Sequence, residues 1–210
     1  MPDAQSWDER YRAGNHAESD PDPFLLRCSE YLDEFLPGRG RALDLAGGAG
    51  RNAVHLAALG FSVSVVDVSP VGLRKAEELA TRRRVSLHTV AADLERGEYV
   101  PPPEAFDLVI VFFFLDRSLF PAIRSALKPG GLVIYRTYTL DQPAAAGSAG
   151  RPKHPMHLLR HNELLEQFAG FRVLLYEETV REKGVAALVA RKPVVPGSAA
   201  RSRRRLGAAP

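Results

Sequence analysis

The chain has 210 residues, with 45% hydrophobic and 25% charged side chains and a formal net charge of +3, which is ordinary for a soluble globular protein with one core. A single cysteine, Cys28, excludes an intrachain disulfide and a thiolate metal cluster. No apolar run approaches the ~20 residues of a membrane helix, and the polar, acidic start at Met1–Trp7 does not read as a secretory leader, so a cytoplasmic location is expected.

The excess positive charge is local. Arg201, Arg203, Arg204 and Arg205 lie in the last ten residues, and without them the chain would carry −1. A field suited to a nucleic-acid partner is therefore not expected over the folded part. From Pro193 onward the chain is rich in Pro, Gly, Ala, Ser and Arg, a composition that cannot bury a core. The expected organisation is one domain over residues 1–192 and a basic, disordered tail over residues 193–210.

Along the chain, Trp7 to His16 is a charged and aromatic lead-in, and Asp20-Pro21-Asp22-Pro23 breaks the chain. Apolar residues fall on one face from Phe24 to Leu36, predicting a helix that Pro37-Gly38 ends. Cys28 lies on that face and reads as a buried helix residue. Strands are expected near Ala42–Leu45, Ser62–Asp67, Ser86–Ala91, Phe106–Phe112 and Leu132–Thr139. Helices are expected near Arg51–Leu59, Pro70–Thr81 and Ser118–Leu127. The strand at Leu108–Phe112 is apolar throughout, as a strand covered on both faces should be. Lys128-Pro129-Gly130-Gly131 makes a tight turn into the fifth strand.

Gln142 to Pro155 is rich in Ala, Gly, Ser and Pro, and a loop of that length reads as a lid or a disordered segment. A last helix follows near Arg160–Phe168. Two strands, Arg172–Val180 and Val185–Arg191, then flank the short turn at Glu182-Lys183-Gly184. The predicted fold class is α/β: a Rossmann-like, doubly wound, mostly parallel sheet with an antiparallel C-terminal edge hairpin and helices on both faces.

The chemistry concentrates where Leu43-Asp44-Leu45 gives way to Ala46-Gly47-Gly48-Ala49-Gly50 and a helix. Glycines let a ligand approach the backbone, and unpaired N–H groups at a helix start point toward it. Asp67, closing the next strand, suits the paired hydroxyls of a ribose. Gly48 to Ala53 also fits the dinucleotide pattern G-x-G-x-x-G/A, a weak signal by itself, and an ordinary ligand-free turn gives the same spacing. Asp44 separates the ligands. A carboxylate at that place would repel a pyrophosphate, which speaks against NAD(P). S-adenosylmethionine (SAM) carries an ammonium beside a sulfonium and no phosphate, so Asp44 favours it. A structural capping role is the bland alternative for Asp44.

Taken in order, six segments resemble the class I SAM-dependent methyltransferases, and within them the small tellurite-resistance branch. They are Trp7–Tyr11, Leu43–Asn52, Val66-Asp67-Val68-Ser69, Ala92-Asp93-Leu94, Phe106-Asp107-Leu108-Val109 and Leu127–Gly131. The resemblance runs from about Trp7 to Lys192. It implies SAM as cofactor, with Asp44 beneath the methionyl ammonium. Ala46, Gly47, Gly48 and Gly50 would form the turn around the methionyl and ribose groups. Asp67 would take the ribose hydroxyls, Val68 would pack on adenine, and Asp93 and Leu94 would meet the adenine amino group and ring. Val111 and Phe112 would offer carbonyls to the ammonium, and Arg10 and Tyr11 would fold over the carboxylate. Where some members carry a His-Arg pair near the final hairpin, this chain has Arg181-Glu182-Lys183-Gly184, which speaks against tellurite itself.

The acceptor is less legible. Arg136, Tyr138, His154 and His157 are candidates for its side of the site, and Phe112-Phe113-Phe114 suggests an apolar or aromatic acceptor or simply core. No carboxylate pattern typical of amine methylation follows the fourth strand, and no metal set is evident. The expected function is methyl transfer from SAM to a small molecule, with a thiol or metalloid oxyanion as candidate acceptor. An NAD(P)-dependent oxidoreductase and a non-catalytic SAM-binding protein are the alternatives.

Overall fold

A computed structural model describes residues 4–15, 19–142, 152, 154–180 and 183–194. The expected tail and most of the Gln142–Pro155 loop lie outside those residues. The seven strands are β1 (Arg41–Leu45), β2 (Ser62–Asp67), β3 (His88–Ala91), β4 (Phe106–Phe112), β5 (Leu127–Tyr138), β6 (Arg172–Thr179) and β7 (Val185–Arg191). They form one sheet in the order β3-β2-β1-β4-β5-β7-β6. The first five are parallel, and β7 runs antiparallel to both β5 and β6. The hairpin lies at the sheet edge as the sequence suggests, but its second strand is the inner one.

The helices are α1 (Ala4–Arg12), α2 (Pro23–Arg27), α3 (Ser29–Phe35), α4 (Arg51–Ala58), α5 (Pro70–Arg83), α6 (Phe120–Ala126) and α7 (Glu163–Gln167). Two apolar clusters cover the two sheet faces. One gathers Leu43, Val109, Val133, Tyr135 and Phe168; the other gathers Phe24, Leu32, Val65, Ile110 and Val189. Neighbouring residues of one strand thus fall in opposite clusters, as strand alternation requires. Among the described residues no helix is long and apolar enough to cross a membrane.

Several boundaries depart from expectation for local reasons. The Phe24–Leu36 helix is two helices, because the Cys28 N–H is shared between the Phe24 and Leu25 carbonyls and Cys28 sits at ψ 0°. Cys28 is fully buried there, and burial pushes its thiol pKa up to about 12. Strand β3 begins at His88 because Arg84, at φ +57°, and the Val85 N–H bonded to Ala80 O are spent on capping α5. Strand β5 begins at Leu127, so the Lys128–Gly131 turn is a bulge within the strand. Helix α7 starts late because the backbone N–H groups of Arg160 and Asn162 bind the carboxylates of Glu163 and Glu178.

Beyond its two central strands the chain goes opposite ways: β2 and β3 lie on one side of β1, β4 and β5 on the other. The crevice past the C-terminal ends of β1 and β4 is the switch point at which such sheets bind ligands.

Candidate active site

A cavity of about 1080 Å³ opens at that crevice, with Asp44, Asp67 and Asp93 at one end and Arg136, Tyr138 and Lys183 at the other. Its floor is the turn after β1. Gly47 packs so closely that a Cβ there would lie 2.6 Å from Val65 Cγ1 and 2.8 Å from Asp44 Oδ2. Gly50, at φ +76°, caps α4 and passes against Ala76, where a Cβ would come within 2.5 Å. Ala46 takes φ +56°, a left-handed conformation uncommon outside glycine.

Asp44 is 1% exposed, and its Oδ2 has no hydrogen-bond partner among the described residues. Burial, then the nearby Asp67 charge, push its pKa up to about 8, against smaller opposing effects of Arg51 and the Ala53 N–H. A buried orphan acid of this kind is costly. Asp67 is also buried, and burial raises its pKa. Its Oδ2 accepts from Gly48 N at 2.8 Å and its Oδ1 from Ser69 N at 2.9 Å. Each oxygen keeps lone-pair capacity for a further donor. Asp93 Oδ1 accepts from the N–H groups of Glu95 and Arg96, so this carboxylate also shapes its own turn.

Helix α1 closes one wall. Asp8 Oδ1 accepts from Ser69 Oγ and from Val71 N at the start of α5. Tyr11 is wedged between two glycines. A Cβ at Gly48 would lie 2.2 Å from its hydroxyl oxygen, and one at Gly72 would lie 2.8 Å from its ring. The Arg10 guanidinium lies 4.8 Å from the Trp7 ring centroid, and both side chains line the cavity.

Residues 42–131 match the family model described as a methyltransferase domain. A protein of Haemophilus influenzae named as a probable S-adenosyl-L-methionine-dependent methyltransferase, TehB, is 26% identical over 68% of this chain and 49% of its own length. The crystal structure of TehB from that organism superposes with a TM-score of 0.67 over 88% of this chain and 67% of that one, at 18% identity. The chain is thus similar to a SAM-dependent methyltransferase in sequence, with residues 42–131 matching a methyltransferase domain, and to a solved structure of that protein in fold. Hemagglutinin 1 of Eikenella corrodens is similar over the same extent, 27% identical over 67% of this chain and 46% of that protein. A tRNA 5-carboxymethoxyuridine methyltransferase of Escherichia coli is 29% identical over 51% and 43%. The chain thus spans about half the length of the curated relatives it matches.

Eleven of the thirteen residues singled out in the sequence line the cavity: Arg10, Tyr11, Asp44, Ala46, Gly47, Gly50, Asp67, Val68, Asp93, Leu94 and Phe112. Two do not. Gly48 lies behind the wall, its N–H spent on Asp67 and its open face filled by the Tyr11 hydroxyl. Val111 sits inside the ladder between Leu45 and Tyr135 with its side chain in the core, so the cavity meets β4 at Phe112 and Phe113 instead.

Of the acceptor candidates, Arg136, Tyr138 and His157 line the cavity, and His154 does not. His157 is held from both sides. Arg117 donates to Met156 O at 2.8 Å and Leu158 O at 2.9 Å, and pairs with the buried Glu163 at 2.7 Å. Burial lowers the His157 pKa.

Sequence reading missed Asp22, Arg51 and Asn52. Asp22 is buried at the head of α2 and accepts from Phe24 N and Arg136 Nη1; its own N–H donates to Asn52 Oδ1. The Asp-Pro pair signals a helix cap, which is one of its roles. Nothing local points to Arg136.

Proposed function

We propose that the chain binds SAM in this cavity and transfers its methyl group to a small molecule. The observation that carries the reading is Asp44, a buried carboxylate with an unpartnered oxygen directly beneath the glycine turn. Such a group asks for a cation. The methionyl ammonium of SAM supplies one, whereas the pyrophosphate of NAD(P) offers no positive charge to pair with the acid.

The other positions take the roles that the donor and acceptor groups suit. The free lone pairs of Asp67 accept from the ribose hydroxyls. Val68 and Leu94 give apolar faces to adenine, with Asp93 at its amino edge. Arg10 and Tyr11 on α1 cover the methionyl end. The open turn formed by Gly47 and Gly50 lets the ligand lie against backbone.

When bound, SAM would supply an electrophilic methyl on a sulfonium, a group that can pass to an in-line acceptor while the sulfur leaves as a neutral thioether. The protein's contribution is alignment and exclusion of water, which can be worth several kcal/mol. A thiolate acceptor needs no base at the site, and the far end of the cavity offers rings and cations rather than a free carboxylate. This supports a soft nucleophile over an amine.

Label from methyl-tritiated SAM, incubated with protein and a cell extract then divided into small-molecule, RNA and protein fractions, tests the reading. Label in the small-molecule fraction is expected. Label confined to RNA would replace the small-molecule acceptor with a nucleic acid, the acceptor class named for the similar tRNA methyltransferase. No label in any fraction, with SAM bound, would favour a non-catalytic SAM-binding protein.

A further inference from the structure

The far end of the cavity is built around one ring. Phe113 holds φ +57°, a strained conformation for a bulky residue, and its N–H donates to Arg136 O at 2.7 Å. This turn presents the ring to three polar-tipped side chains. The Arg136 guanidinium lies 5.4 Å from its centroid, the Lys183 ammonium 5.6 Å, and the Tyr138 ring 5.0 Å. All four side chains line the cavity.

Two guanidinium groups converge on one buried carboxylate at this end, Asp22: Arg136 at 2.6 Å and Arg51 at 3.5 Å. Arg136 is fixed rather than loose, with Phe24 5.8 Å from its guanidinium on one side and Phe113 on the other. Asp22 engages Nη1 only, and Nε is buried without a partner. A cavity-lining guanidinium held in one orientation, with one nitrogen on Asp22, is suited to a planar anion, which arginine grips through paired hydrogen bonds. The cofactor end, by contrast, carries the acids Asp44, Asp67 and Asp93.

Building on the methyltransferase reading above, the geometry points to an organic carboxylate as the acceptor class. Its acid group binds Arg136, its planar apolar body lies against Phe113 and Tyr138, and its nucleophilic atom reaches back toward the Asp44 end. Arg136 is then a specificity-determining residue, and Phe113 and Tyr138 form the platform. A sulfur nucleophile, its thiol proton lost to solvent beforehand, would leave as its methyl thioether and the donor as S-adenosylhomocysteine, so no oxidant or further reactant enters.

The test uses two matched thiols, 4-mercaptobenzoate and 4-mercaptobenzamide, with the full chain. Binding is followed by thermal shift with and without S-adenosylhomocysteine (SAH), and turnover by label from SAM. The acid is expected to bind at least tenfold more tightly than the amide, with the ratio shrinking from 50 to 500 mM salt. Arg136→Gln should bring the ratio within twofold while the SAH shift remains, and Arg136→Lys should keep part of the preference. Equal binding of acid and amide by the unaltered protein overturns the proposal whatever the variants do. So does an acid preference that survives Arg136→Gln. An absent SAH shift counts against the methyltransferase reading instead, and the acid-to-amide ratio without SAH still decides the anion site.

Discussion

Asp44 couples cofactor binding to a proton. Its carboxyl is 1% exposed and its pKa is pushed up to about 8, so at pH 6 it is ~99% protonated in the ligand-free protein. An ammonium beside it restores the ionised form, so SAH binding at pH 6 should release about one proton. Affinity should then rise about tenfold per pH unit from 5.5 to 7, or ~1.4 kcal/mol per unit. Titration calorimetry in two buffers of different ionisation enthalpy measures both quantities. The same shift acts on stability with a definite sign. A carboxyl whose folded pKa lies above its unfolded value stabilises the fold fully below about pH 4, and this contribution is lost as pH rises toward about 8. Asp44→Asn should therefore leave the ligand-free protein more stable at pH 8, by at least ~1 kcal/mol, while weakening SAH binding by two orders of magnitude or more. Binding that is flat with pH, no proton released, or an Asp44→Asn variant with unchanged SAH affinity would refute the reasoning.

Other perturbations have equally specific outcomes. Gly48→Ala puts a methyl 2.2 Å from the Tyr11 hydroxyl at a backbone φ of +56°. It should displace α1, lower stability by about 1–3 kcal/mol, and weaken SAH binding, read by thermal shift and calorimetry together. Arg117→Ala strands the buried Glu163 and releases the carbonyls on either side of His157. A loss of about 3 kcal/mol in denaturant unfolding is expected, low in the range for a broken buried pair because Arg117 is partly exposed. Burial raises the Glu163 pKa, but the Arg117 and Arg160 N–H bonds outweigh it and the net shift is downward. Its contribution is thus present above the ordinary carboxylate range and lost in acid. Glu163→Gln should remove that acid sensitivity, and a variant that keeps it would exclude Glu163 as the source.

The cofactor end was legible because its geometry is local. Asp44 and the glycines fall within residues 44–50, and Asp67 closes the next strand, so chain order alone brings them together. The acceptor end depends on contacts between distant segments. Asp22 and Arg136 are 114 residues apart and meet only because the fold brings the head of α2 to Arg136 of β5. Asp8 meets Ser69 across 61 residues, so the WDERY segment could be matched to a pattern without revealing that it caps α5. The family resemblance puts Gly48 in the turn around the ligand, yet its open face is taken by Tyr11, a packing detail that no motif encodes. The hairpin was evident from its short turn, while the inner position of β7 is a choice of pairing partner for β5. The break at Cys28 left the apolar face intact, which is why periodicity ran straight through it.

On the reading proposed above, the crevice past β1 and β4 holds SAM rather than a dinucleotide. Thermal unfolding of the full chain with saturating SAH or NADH tests it most directly. SAH at a hundred times its dissociation constant should stabilise the protein by about 2.7 kcal/mol, with no shift from NADH. Stabilisation by NADH and none by SAH would contradict the account.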